Sequence, residues 1–249
     1  MDGRQQLGSG IANDLSPPII VLGMHRSGTS LVTGRLEAAG MYLGEVNTAA
    51  PHNAKGNREN EKLRDFHDLM ITSRGFDWKT PPERPIEWSA DEKATILEIL
   101  RPFAGKTTWG FKDPRTIWLL EGYLKLFPTC RLIAPFRHPS AVAKSLNARR
   151  KGLQLPLEQG RWLWRRTNER LLCIRNMHTL TLLHFGIMGV SDPLFSKPFN
   201  RFARSVGLTE KAVEFYDRDL VHHDGAVLEM DAEDRELWQR LLAAIQEGS

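Results

Sequence analysis

Cysteine is nearly absent from this chain, with two in 249 residues. Cys130 and Cys173 lie in apolar stretches without the paired spacing of a zinc site, a redox motif or a disulfide framework. Both are expected to be buried thiols in a reducing compartment. An excess of one charge is also missing: Lys+Arg number 34 against Asp+Glu 30, a net charge of +4. That balance is too mild for bulk electrostatics to recruit a nucleic acid. No segment supplies the ~18 uninterrupted apolar residues of a membrane span. Residues 1–17 lack the apolar core and small-residue cleavage site of a secretory leader. The expectation is a cytoplasmic protein with a flexible tail over 1–17. No Pro/Gly/Ser-rich linker, internal repeat or low-complexity tract divides the rest, so 18–249 reads as a single domain.

What is present has an alternating rhythm. The apolar run Ile19–Leu22, bounded by Pro18 and Gly23, reads as a strand buried on both faces, and a helix follows that stops at Gly40. A helical spacing of apolar residues runs over 59–72. An extended Pro- and Trp-rich loop covers 77–89, and a helix over 90–101 opens with a capping box from Ser89 to Glu92. Further expected elements are a strand at 108–111, a helix opened by Pro114, a strand at 130–136 running into a helix at Pro139, a long helix over 157–177 and a last strand at 180–185. Short helices and a charged tail are expected beyond 191. Strands alternating with helices predict an α/β fold, a three-layer parallel sheet flanked by helices. The basic runs Arg149, Arg150, Lys151 and Arg161, Arg165, Arg166, Arg170 read as solvated helix faces. Trp162 and Trp164 read as core residues.

The segment Gly23–Ser30, GMHRSGTS, sits between the first strand and its helix. Glycines at 23 and 28 permit a backbone that turns N–H groups inward, and the helix N-terminus behind them favours an anion. Thr29 and Ser30 add hydroxyl donors. Compared with a Walker A loop, the spacing of the glycines is kept but Thr29 stands at the lysine position, and the cation is Arg26 instead. A phosphate group is the expected ligand.

This loop resembles the 5′-phosphosulfate loop of the sulfotransferase family, whose members take 3′-phosphoadenosine 5′-phosphosulfate (PAPS) as co-substrate on a P-loop-like fold. Arg137 at the end of the third strand, with Ser145 eight residues on, is similar to that family's 3′-phosphate motif. WGFKDPR (Trp109–Arg115) resembles the segment whose lysine contacts the transferring sulfuryl group. KGNREN (Lys55–Asn60) resembles a Gly-x-x-Glu-Asn element, with Asn57 and Arg58 where aromatic residues are usual. The resemblance implies a donor site of His25, Arg26, Ser27, Gly28, Thr29, Ser30, Arg137 and Ser145, and catalytic roles for Arg26, Lys112, Glu59 and Asp113. It implies no metal requirement.

Sulfuryl transfer needs a positioned hydroxyl, charge stabilisation by Arg26 and Lys112, and a proton acceptor. Glu59 is the first candidate base and Asp113 the second, with His25 and His52 also possible; a helix-start acid and a cap before Pro114 are their structural readings. The acceptor is a hydroxyl on a sugar, lipid, metabolite or protein. The competing readings are a P-loop kinase or nucleotide hydrolase, and a non-catalytic nucleotide-binding protein of the same fold.

Overall fold

The computed structural model describes residues 14–48, 56–149, 152–186, 188–209 and 230–246. Four strands, β1 (Ile19–Val21), β2 (Gly110–Lys112), β3 (Arg131–Phe136) and β4 (Leu180–His184), form one parallel sheet in the order β2-β1-β3-β4. Alternate side chains on a strand point to opposite faces, and both faces here are apolar. Ile20, Leu132, Ala134 and Leu182 enter one core, and Ile19, Val21, Ile133 and Leu183 the other.

Helices α1 (Thr29–Ala38) and α7 (Pro193–Ser205) cover the second face through Val32, Leu36, Phe195 and Phe199. The first face is covered by α2 (Glu61–Thr72), α3 (Ala90–Leu100), α4 (Thr116–Leu126), α5 (Pro139–Asn147), α6 (Leu157–Met177) and α8 (Ala232–Gln246). The result is the three-layer α/β arrangement that the sequence predicts. Among the described residues no helix is long and apolar enough to cross a membrane.

Capping chemistry sets the helix starts. At α3 the Ser89 hydroxyl accepts from the Glu92 amide at 3.1 Å and the Glu92 carboxylate accepts from the Ser89 amide at 2.8 Å, the expected box. The expected helix at 59 starts two residues later, because Asn60 Oδ1 caps α2 by accepting from the Leu63 amide at 3.2 Å. Pro114 does not open α4 either. Asp113 Oδ1 accepts from the Arg115 amide at 2.9 Å, and this side-chain turn delays the helix to Thr116.

Other expectations are corrected. The short helices expected beyond 191 include two of 13 and 15 residues, α7 and α8. Cys173 is exposed and Cys130 half-buried, with the Cys130 thiol pushed up to about 11 by burial. Trp164 is buried, but Trp162 on the same helix is 39% exposed. The end of the segment read as a tail is docked: Leu15 is buried, and Trp109 Nε1 donates to the Ser16 carbonyl at 2.8 Å.

The strand order reverses between β1 and β3. From β1 the chain goes to β2 on one side; from β2 it crosses to β3 on the other and on to β4. In open α/β sheets the crevice at the carboxyl ends of such a pair is where ligands bind. It is where Gly23–Ser30 and Arg137 lie.

Candidate active site

The loop owes its shape to two close approaches. Gly23 has φ 125°, and a Cβ there would stand 2.9 Å from the Pro135 carbonyl oxygen. Pro135 has no N–H to give, so the bond from Leu22 N to Ile133 O, 2.9 Å, lies where β1 and β3 part. The chain is then free to turn through Arg26 at φ 69° and Gly28 at φ 94°. Gly28 precedes α1, where a Cβ would meet the Phe185 ring at 2.9 Å.

First-turn amides of a helix have no intrahelical acceptor, and the helix dipole leaves them electropositive. At α1 no acidic residue stands in the first turn and, among the described residues, no side chain caps it. This is the condition for binding an anion rather than a carboxylate of the chain itself. Ser27 Oγ is buried without a hydrogen bond. Ser30 Oγ donates to the Asn57 carbonyl at 3.1 Å, tying the 56–60 segment to the loop.

The structure brings Arg26, Arg137 and Ser145 together. Arg26 Nε donates to Ser145 Oγ at 2.8 Å across 119 residues of chain. Arg137 Nη1 stands 3.4 Å from the Arg26 carbonyl oxygen, which belongs to the same peptide unit as the Ser27 amide. Trp164 fixes the strand end from behind, its Nε1 donating to the Arg137 carbonyl at 2.9 Å.

A third guanidinium joins them. Arg149 packs 5.0 Å from the Trp78 ring centroid. Burial pushes Arg137 down to about 10, with Arg26 adding to the effect. Burial likewise pushes Arg149 down to about 10, with Arg26 lowering it further and Glu59 opposing. All three cations remain charged at neutral pH, and their crowding creates a strongly positive site. Arg149 was expected on a solvated face. Its neighbours on the chain gave no sign of burial, because Trp78 reaches it from 71 residues away.

Glu59 and Lys112 meet as an ion pair, with Nζ 2.6 Å from Oε1 and Lys112 only 3% exposed. Asp113, the next residue, points into the core at 1% exposure. Its Oδ1 receives Arg115 at 3.1 Å and its Oδ2 lies 3.0 Å from His67 Nδ1. His67 Nε2 in turn lies 2.6 Å from the Tyr123 hydroxyl. A carboxylate only accepts, so Nδ1 donates to it and Nε2 accepts from Tyr123, whose hydroxyl is held protonated by burial. Burial alone would raise Asp113. The His67 hydrogen bond and the Arg115 charge overcome it and hold the carboxyl well below the usual range.

His25 packs edge-on against Trp78, with centroids 5.0 Å apart. Its pKa lies well below the usual histidine value, through burial first and then the charges of Arg149 and Arg115. His52 and Lys55 lie outside the described residues. Among the described residues no cluster of three or more His, Cys, Asp or Glu could hold a metal ion.

Comparison with known proteins places this arrangement in a class. The profile of the sulfotransferase family matches residues 17–179, and the chain belongs to that family. The sulfotransferase domain of a Synechococcus PCC 7002 olefin synthase is similar in fold, at 18% identity and a TM-score of 0.56, over 91% of this chain and 94% of that one. A sulfotransferase domain from the curacin biosynthetic pathway gives 13% identity and 0.57, over 91% and 98%. A Mycobacterium avium sulfotransferase gives 18% and 0.50, over 98% and 79%. A search of curated protein sequences gives no match.

Proposed function

We propose that the chain transfers a sulfuryl group from PAPS to a hydroxyl acceptor, without a metal. The observation that carries the reading is the meeting of Arg26, Arg137 and Ser145 at the Gly23–Ser30 loop. One anionic group on the loop and a second beside Arg137 would together match a nucleotide with phosphates on both its 5′ and 3′ positions, which ATP lacks.

In this reading the α1 amides, Thr29 and Ser30 hold the 5′-phosphate, while Arg137 and Ser145 hold the 3′-phosphate. Arg26 stands between the two and offsets charge on the bridging oxygen as the S–O bond breaks. Lys112 neutralises the equatorial sulfuryl oxygens. Glu59 keeps the Lys112 ammonium in place until the sulfuryl oxygens compete for it, since a buried cation requires a counter-charge. The bonds of Asp113 to His67 and Arg115 give it a positioning role, holding the end of β2 that presents Lys112.

Calorimetry without magnesium tests the donor site: adenosine 3′,5′-bisphosphate (PAP) should bind at least 10-fold more tightly than ADP. Equal or tighter ADP binding would favour a kinase or nucleotide hydrolase. Tight PAP binding without transfer of labelled sulfate to any acceptor would favour a non-catalytic nucleotide-binding protein.

A further inference from the structure

Residues 56–60 form a strap that runs from α1 to the end of β2, and its ties are of two kinds. The Asn57 carbonyl accepts from Ser30 Oγ at 3.1 Å, and Glu59 Oε1 accepts from Lys112 Nζ at 2.6 Å. Ser30 and Lys112 are both assigned above to the donor. Arg58 Nη1, by contrast, donates to Glu37 Oε2 in the last turn of α1, and Asn60 Oδ1 caps α2 through the Leu63 amide. Neither Glu37 nor Leu63 has a part in holding the donor.

We propose that Arg58 and Glu37 are positioning residues: their ion pair keeps the strap in place, and with it Glu59 beside Lys112, while the bound donor draws on the other ties. The inference rests on the sulfotransfer reading and adds the residues that preserve the Glu59–Lys112 pair during donor binding.

The competition follows from the donor inventory of each group. A serine hydroxyl carries one hydrogen, and an ionised phosphate oxygen only accepts. When Ser30 donates to the 5′-phosphate, the Asn57 carbonyl loses that hydrogen. Lys112 has three N–H donors, so sulfuryl oxygens weaken its tie to Glu59 without having to break it. The donor therefore loosens the strap at Asn57 and at Glu59 together. Lys112 is buried, and a buried ammonium left without its carboxylate is costly, so the strap has to be retained from elsewhere.

Arg58 is built for that task. It stands at φ 56°, in the left-handed region that L side chains disfavour, and such a conformation persists where surrounding contacts fix it. Its amide donates to the Asn47 carbonyl at 3.1 Å, and the Asn47 amide donates to the Glu59 carbonyl at 3.2 Å. The side chains of Arg58 and Glu37 are only 15% and 34% exposed, which limits screening of the pair by salt. Glycine would take this backbone more easily, so the arginine is accounted for by what its side chain reaches. In the element that Lys55–Asn60 resembles, an aromatic residue is usual at this place, and it could not pair with Glu37. The tie to α1 is thus outside what the resemblance implies.

Val46 packs against the core of the second face and keeps its neighbour Asn47 with the body of the fold. Lifting the strap therefore breaks the Asn47–Glu59 bond, and the Asn47 amide reports on it.

The test is hydrogen exchange at that amide in the full chain, free, with PAP and with PAPS, alongside calorimetry of PAP. In the parent, PAP should lower protection of the Asn47 amide about 5- to 10-fold, the scale of one hydrogen bond, and PAPS should lower it further. Arg58→Gly, which suits the backbone, and Glu37→Gln, which leaves residue 58 untouched, should each lower it by another 5- to 10-fold in every state. PAP affinity in both variants should stay within twofold of the parent. Arg58→Lys, which keeps the cation, should lie closer to the parent than to Arg58→Gly. Failure of the parent to bind PAP would sink the donor reading itself. Bound PAP that leaves Asn47 protection unchanged or raises it overturns the transfer of the Ser30 hydrogen bond, and equal effects of PAP and PAPS overturn the link to Lys112. Unchanged protection in both variants, or a PAP affinity lowered 10-fold in both, would show that the Arg58–Glu37 pair does not serve to retain the strap.

Discussion

Arginines occupy two kinds of surroundings in this molecule. Along α6, Arg161 and Arg165 face Asp231 and Asp234, and Arg170 faces Glu121. Behind the sheet end, Arg115 faces Asp68 and Asp113. Around the loop, by contrast, Arg137 and Arg149 are depressed by burial and by Arg26, with only Glu59 acting the other way on Arg149. The number of cations is similar in both regions. Along α6 and behind the sheet end carboxylates answer the guanidinium charges, whereas around the loop burial is the strongest influence on Arg137 and Arg149.

The matched region should dominate stability. Asp113→Asn removes the charge that compensates Arg115 and one of the two acceptor oxygens that serve Arg115 and His67, and is expected to destabilise the fold by about 3–5 kcal/mol in urea unfolding. The pH dependence has a definite sign. The folded pKa of Asp113 is depressed, so its contribution is fully present above the ordinary carboxylate value of about 3.9 and is lost as pH falls below it. The variant should therefore show a shallower loss of stability below pH 4 than the parent. An unchanged acid limb would mean that the carboxylate is not the structural anchor its geometry indicates.

The loop region should dominate function. Arg26→Ala is expected to lower kcat/KM by about 10²–10³-fold, the scale of a lost preorganised donor, while the urea midpoint stays within error. Removing a cation from a crowded positive cluster relieves repulsion even as it loses a hydrogen bond. A large loss of stability with little loss of rate would place Arg26 among the structural arginines.

Much of this contrast was legible in the sequence, where it depended on neighbours along the chain. The loop is a local signal: Gly23 and Gly28 are read from their spacing, and the capping box at Ser89 from two residues three apart. The strand end at Arg137 follows from an apolar run. The pairing of Lys112 with Glu59 spans 53 residues, and that of Arg149 with Trp78 spans 71. No local pattern encodes either. Asp113 reads as a cap from its place before Pro114, but its second bond goes to His67 on α2, which only the packing of α2 against the sheet brings within reach. The Arg161–Arg170 row was read as solvated for the same reason, since its partners Asp231 and Asp234 lie beyond an intervening strand and helix.

A finer division within the loop region comes from Arg137. Under the proposed donor geometry it serves the 3′-phosphate alone, so Arg137→Ala should weaken PAP binding by about 10- to 10²-fold, the range for a hydrogen bond to a charged group. ADP, which has no 3′-phosphate, should lose less than threefold in the same calorimetry. Equal losses for both nucleotides would mean that Arg137 acts on the loop through the Arg26 carbonyl instead of on the ligand.

The smallest effect is expected where matching is most complete. Arg165 is shared among Asp231, Glu233 and Asp234, and two of those carboxylates keep Arg161 if it is removed. Arg165→Ala should therefore cost no more than about 1 kcal/mol, as for other solvent-facing pairs, and leave kcat/KM and PAP affinity within twofold. Because Arg165 and Arg26 carry the same group, the pair of variants isolates surroundings from residue type. A substantial loss of PAP affinity in Arg165→Ala would show that the positive potential of α6 reaches the loop despite its carboxylates, and the distinction between the α6 arginines and the loop arginines would fail at that point.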